Sequence, residues 1–170
     1  MTVEFKETKV LTEADRIILF EWGADIFGTA AMNLQWRAKD LHFIVYDDGK
    51  PVSHAGILRH TVNIGKMPKL VGGLGGVVTV PRSQRQGLAR RLVLQAMKVL
   101  ENEWKVDAGL LFCMPHMTHY YESLGWKLVD STVSIDQPNG KIISPMLVMV
   151  LTFGDSPWPE GPIDLQSFPW

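Results

Sequence analysis

Four arginines crowd one glycine in the stretch VTVPRSQRQGLARRL. Arg82, Arg85, Arg90 and Arg91 flank Gly87, where a β-branched run stops at Pro81 and an apolar repeat begins at Leu88. Proline cannot donate a ladder hydrogen bond, so the strand ends there. Leu88, Leu92, Ala96, Leu100 and Trp104 recur every four residues, which predicts one buried face of a long helix over Gln84 to Trp104. Gln84 to Gly87 then form its first turn, whose backbone N–H groups lack intrahelical partners. A glycine among them leaves room for a ligand to approach. Free amides, the positive end of the helix dipole and nearby arginines together suit an anion such as pyrophosphate. Without an anion, arginines at this end oppose the dipole and form only a solvated basic turn. No Gly-Lys is followed by Ser or Thr, so there is no Walker loop, and Gly73-Leu74-Gly75 has Val78 where the dinucleotide fingerprint needs its third glycine.

A second cluster follows in CMPHMTHYYESLGW. Cys113 with His116 or His119 could form a thiol nucleophile and its base, although a single buried cysteine more often serves packing. His116, His119 and Glu122 share three-residue spacing and could grip a cation; two histidines on a short solvated helix are a weak basis for that, and no metal is expected. Tyr120 and Tyr121 offer phenols with pKa near 10, able to hand a proton to a thiolate whose conjugate acid lies near 8.5. Upstream, Gly72, Gly73, Gly75 and Gly76 interrupt a strand expected over Leu70 to Val80. Glycine in a strand interior marks a bulge or a close approach by another group. An extended amide-bearing chain along this strand, with its phosphates on the helix, would unite both features.

These residues resemble the acyl-CoA-binding motif of the GNAT superfamily of N-acyltransferases. That motif runs strand, proline, then Gln/Arg-x-x-Gly-x-Gly/Ala, here Gln84-Arg85-Gln86-Gly87-Leu88-Ala89. The resemblance implies that a pantetheine arm pairs with Val77, Val78 and Thr79. It also implies that the pyrophosphate rests on Arg85, Gln86, Gly87, Leu88, Ala89 and Arg90. Tyr121-Glu122-Ser123-Leu124-Gly125-Trp126 resembles the family's later Tyr-x-x-x-Gly-Phe, which implies that Tyr121 protonates the departing CoA thiolate. The match departs from the family at the glycine-rich strand, where many members carry a glutamate base. His54, His60, Asp25 and Glu122 are the remaining candidates for that proton. Met114 stands where many members have an asparagine. VSHAGILRHTVNIGKMPKL is similar to a hairpin of aminoglycoside 2'-N-acetyltransferases and of nodulation N-acyltransferases. WPEGPIDL is similar to the end of the nodulation group, and the terminal tryptophan to the aminoglycoside group.

The implied activity is transfer of an acetyl group from acetyl-CoA, as co-substrate, to a primary amine of a small molecule by direct attack in a ternary complex. Two alternatives stand beside it: a non-catalytic acyl-CoA-binding or sensing module, and an N-acyltransferase using longer acyl chains. The implied fold is α/β (α+β), a mixed, mostly antiparallel sheet of about six or seven strands flanked by about four helices.

The elements that must position these residues can be read from pattern. Residues 3 to 9 alternate as a strand, and Thr12 can cap a helix from Glu13 that fades by Gly28. Two strands meet at Asp48-Gly49, and a turn at Lys66 to Lys69 precedes the glycine-rich strand. Ala108 to Cys113 and Trp126 to Ile135 read as strands, His116 to Leu124 as a short helix, and Ile142 to Phe153 as a last strand. Residues 1–153 are expected to form one acyltransferase domain. Residues 154–170, with four prolines and two tryptophans, are expected to pack back on it. Their acids could attract a cationic amine if the tail covers the site.

The whole chain of 170 residues is 46% hydrophobic and 21% charged, with net charge −1. That balance gives no reason to expect nucleic acid or a membrane as partner. One cysteine excludes an internal disulfide framework. The N-terminus lacks the apolar core of a signal peptide, and a cytoplasmic monomer or homodimer is expected.

Overall fold

The computed structural model describes residues 2–170. Ten strands join one strongly bent sheet. Its centre is β3 (Lys50–Ile64) and β4 (Met67–Thr79), a long antiparallel pair joined at Gly65-Lys66. The first half of β3 pairs with β2 (Leu41–Asp47), which pairs with β1 (Val3–Thr8). On the other side, β4 runs parallel to β5 (Ala108–Cys113), which is antiparallel to β9 (Leu147–Thr152). β9 also carries β6 (Lys127–Leu128). The far end of β3 pairs with β10 (Ile163–Asp164) from the tail, and β10 runs parallel to β7 (Val133–Gln137) of the hairpin β7–β8, with β8 at Gly140–Ile143.

Alternation along the strands divides the interior. Phe43, Val45, Val52, Ala55, Ile57 and Leu74 face α2 (Leu88–Lys98), which buries Leu92, Val93 and Ala96 against them. Ile44 and Val78 point the other way, onto Leu19 of α1 (Glu13–Phe20). Leu58, Val71, Leu110, Ile135, Ile163, Leu165 and Trp170 form a third cluster that ties the tail to the sheet.

Several boundaries differ from the pattern reading, each for a local reason. α2 begins at Leu88, four residues later than expected, because Arg85 and Gly87 take left-handed conformations at φ 63° and 75°. It ends in one wider turn over Val99–Glu103. α1 stops at Phe20, where the indole of Trp22 donates to the carbonyl of Leu19 at 2.8 Å. The last expected strand is two, β8 and β9, because Ser144-Pro145 interrupts it. The strand expected over Trp126 to Ile135 likewise divides into β6 and β7. Three α-helices flank the sheet, the third being the single turn and a half of α3 (Thr118–Glu122).

Candidate functional site

β4 and β5 pair from Val71–Ala108 to Leu74–Leu111 and then part. β4 continues to Thr79 with its β3 edge occupied and its other edge free of β5. The parting begins at a bulge: His54 pairs with Val78 and Gly56 with Gly75, leaving Gly76 and Val77 opposite the single residue Ala55. Gly76 takes φ +60° to make it, a conformation glycine adopts without a Cβ penalty. Together the parted strands open a cleft of about 990 Å³. Val77, Val78, Thr79, Cys113 and Tyr121 line it.

At the outer end of β4 a run of backbone amides is left without partners. Ser83 and Gln84 donate their backbone N–H groups to Val80 and Pro81, and Arg91 donates to Gly87 at 3.1 Å. Among the described residues, no backbone carbonyl accepts from the amides of Arg85, Gln86, Gly87, Leu88, Ala89 or Arg90. Arg85 and Gly87 both take left-handed conformations within this run. A Cβ on Gly87 would meet nothing within 4 Å, so the space beside this residue is open. The free groups therefore lie in a loop and the first turn that follows it, rather than in a turn starting at Gln84.

The flanking side chains divide by role. Arg85, Gln86 and Arg90 are exposed, while Leu88 and Ala89 are half-buried and Leu88 packs on the core. Arg91 lies over the ring of Phe5 at 3.7 Å and is thus engaged with β1. Gln84 Nε2 donates to the Thr79 carbonyl at 3.0 Å, and Ser53 Oγ lies 2.8 Å from Thr79 Oγ1, which pins the end of β4.

α3 presents Tyr121 to the inner cleft, buried to 6% exposure. Its ring meets Trp126 and Tyr120 edge-on at 6.3 and 5.0 Å. Burial, with lesser contributions from Tyr120 and Cys113, pushes its phenol well above the ordinary value, so the proton stays on oxygen until a strong base arrives. Among the described residues, no hydrogen bond ties that hydroxyl down. Cys113 is buried at the end of β5, and burial pushes its thiol up to about 11. A thiol held in that form is a poor nucleophile at neutral pH. His116 lines the cleft, but His119 turns outward toward Glu122 at 3.4 Å. Among the described residues, no group of three or more His, Cys, Asp or Glu is arranged to hold a metal.

The floor of the cleft holds His54, one of the candidate proton acceptors, together with His42 and Lys39, which pattern did not single out. His54 Nδ1 lies 2.6 Å from the Gly76 carbonyl, and His54 Nε2 lies 2.8 Å from His42 Nδ1. A carbonyl only accepts, so His54 carries its proton on Nδ1, and His42 must then donate from Nδ1 to His54 Nε2. This leaves the lone pair of His42 on Nε2. Burial lowers both imidazoles, His54 to about 4, and the neighbouring Lys39 charge adds to the effect. Lys39 lies flat across β3 and β4: its Cγ is 2.5 Å from a Cβ built on Gly56, and its Cε 2.6 Å from one built on Gly75. A Cβ on Gly72 would meet Leu100 at 2.2 Å, and one on Gly73 would meet the Trp170 indole at 2.4 Å. The close approaches implied by the glycine-rich strand are thus made in large part by the protein's own side chains.

Of the other proton acceptors considered, His60 is held between Arg37 at 2.9 Å and the Leu165 carbonyl at 2.7 Å. Asp25 accepts from the amides of Thr29 and Ala30. Neither residue lines the cleft, and neither does Glu122. Asp164 of the tail pairs with Lys141 at 2.9 Å. Among the described residues, the tail's contribution to the cleft is Trp170, whose indole donates to the Leu110 carbonyl at 3.0 Å.

Residues 36–129, more than half of the chain, match the model of the acetyltransferase (GNAT) domain. Solved structures repeat the fold at low identity. The GNAT family N-acetyltransferase YhbS from Escherichia coli, in complex with CoA, aligns at TM-score 0.62 and 16% identity, covering 98% of this chain and 92% of that one. An acyl-CoA N-acyltransferase from Pseudomonas aeruginosa aligns at 0.59 and 17%, covering 88% and 99%. A GNAT family acetyltransferase from Brucella melitensis, in complex with acetyl-CoA, aligns at 0.57 and 18%, covering 94% of each chain.

Proposed function

From the premise that the chain belongs to the acetyltransferase (GNAT) domain family, we propose that it transfers an acetyl group from acetyl-CoA to a primary amine of a small molecule. One observation carries this reading: the free edge of β4 leads, without a break in the chain, to six amides that have no backbone partner. A pantetheine arm has peptide-like amides that can pair with the backbone of Val77 to Thr79. Its pyrophosphate can take the amides of Arg85 to Arg90, with the Arg85 and Arg90 guanidinium groups beside it.

The thioester then lies near the bulge at Gly76. The amine lone pair attacks its carbonyl carbon, a C–N bond forms, the C–S bond breaks, and the thiolate takes the phenolic proton of Tyr121. An alkyl amine near pKa 10 must first lose a proton. The lone pair on His42 Nε2 can receive it, with His54 and the Gly76 carbonyl holding the imidazole in that tautomer. The lining favours an acceptor with an apolar body, because Phe20, Trp22, Trp36, Phe112 and Trp170 surround the inner cleft.

A rival reading is acyl-CoA binding without turnover. It is favoured by one feature: among the described residues, no Asp or Glu side chain lines the cleft. Release of CoA from acetyl-CoA, measured against amino acids, polyamines, arylamines and aminoglycosides, separates the two. Turnover with any amine supports the transferase. CoA binding without turnover across the panel supports the sensor, and faster release from longer acyl-CoA thioesters would change the acyl group assigned here.

A further inference from the structure

We propose that Lys39 is an acyl acceptor within the chain itself: when no amine occupies the cleft, the acyl group of bound acyl-CoA passes to Lys39 Nζ. The inference rests on the acyl-CoA reading above and adds a modification site to it.

Position is the first argument. Lys39 Nζ lies 3.2 Å from a Cβ built on Gly75, which follows directly on the last β4–β5 pair at Leu74–Leu111. That is where the strands part and where a thioester running inward along Val77 to Thr79 would end. The stem is fixed by its path over Gly56 and Gly75, so the amine reaches this point at little entropic cost.

Electrostatics is the second argument. Lys39 forms no ion pair with an Asp or Glu side chain among the described residues, and its one hydrogen bond is a long donation to the Arg37 carbonyl at 3.4 Å. The groups facing it are the His42 and His54 imidazoles and the α-carboxyl carbon of Trp170, 2.9 Å from the same Gly75 position, a carboxylate that makes no ion pair with Lys39 within 4.0 Å. Cys113, Tyr121, His116, Arg16 and Lys9 line the same cleft, and Asp40 is the next residue in the chain. Burial pulls the ammonium down to about 8, so a useful fraction is the neutral, nucleophilic amine near neutral pH.

The step balances without another reactant. The Nζ lone pair attacks the thioester carbonyl, a C–N bond forms and the C–S bond breaks. The thiolate leaves as CoA thiol with the Tyr121 proton, and the surplus amine proton passes through His42 or water to reprotonate Tyr121. The product is an amide, which does not hand the acyl group on. It also removes the Lys39 charge and lengthens the side chain inside the cleft. Acylation therefore closes the acceptor site, and free amine competes with it.

Incubation of the folded chain with acetyl-CoA, followed by intact mass and peptide mapping, tests this. One acetyl group is expected on Lys39, appearing at least about tenfold faster than on exposed lysines such as Lys50 and Lys66, because the thioester is held beside it. It should be lost in Lys39→Arg and Lys39→Gln, slowed in Tyr121→Phe, and absent from heat-unfolded protein. The inference is overturned if calorimetry shows acetyl-CoA binding while Lys39 stays unmodified or reacts no faster than the exposed lysines. If the folded chain binds no acetyl-CoA at all, the acyl-CoA reading falls with it.

Discussion

His54 of β3 donates its ring proton into the bulge of β4, at 2.6 Å from the Gly76 carbonyl. The imidazole is 1% exposed, and its other nitrogen is occupied by His42. A side chain that must stay neutral to fill this place gives the fold a pH limit.

Stability should fall as pH drops from about 6.5 to about 4. The unfolded chain binds a proton at His54 near 6.5, whereas the folded chain resists until about 4. The contribution is therefore fully present above 6.5 and lost on the acid side, by up to about 3 kcal/mol at full separation of the two values. Urea unfolding of wild type and His54→Gln across that window checks it. The variant, less stable at neutral pH, should show the smaller acid loss; parallel curves would refute the assignment.

Tyr121→Phe should lower turnover by about 10² to 10⁴, the usual contribution of a general acid, and leave CoA affinity within about twofold. Calorimetry for binding and thiol release for turnover separate the two effects. Tyr120→Phe should leave turnover near wild type, because Tyr120 does not line the cleft.

Arg85→Ala and Arg90→Ala should each weaken CoA binding about fivefold at low salt, near 1 kcal/mol for an exposed charge meeting phosphate, and flatten its dependence on ionic strength. Arg91→Ala should change CoA affinity little and stability slightly, because Arg91 stacks on Phe5 instead. Titrations at two salt concentrations distinguish the sites.

Gly87→Ala should cost about 1 kcal/mol from its left-handed backbone, since the new methyl itself meets nothing. Thermal melts with and without CoA measure this strain and any crowding of the bound CoA separately. Trp170→Ala should cost about 3 to 5 kcal/mol as a large-to-small change in a closed site, read from urea unfolding.

Much of the proposed donor side was legible as structure because it depends on local chemistry. Pro81, Gly87 and the apolar repeat that begins at Leu88 define a strand-to-helix junction, and the strand and loop follow from it. The helix start was missed because nothing in Gln84-Arg85-Gln86 signals a left-handed arginine. The proposed acceptor side was largely hidden. Lys39 precedes the expected strands and lies over Gly56 and Gly75, and His42 of β2 meets His54 of β3 only through the pairing of those strands. The small residues were visible; the side chains that lie on them could not be assigned without the pairing register.

The two-residue strand β10 has a consequence for how the chain folds. It joins β3 to β7 across more than 90 residues of sequence on one side and runs parallel to its neighbour on the other. The β7–β8 hairpin reaches the rest of the sheet's hydrogen-bond ladder through β10. Loop-closure entropy for such pairings is lost before contacts repay it, so the central β3–β4 hairpin should form early and this seam last. Refolding should therefore pass through a species that lacks β10, with the far half of β3 and the edge of β7 open to other chains.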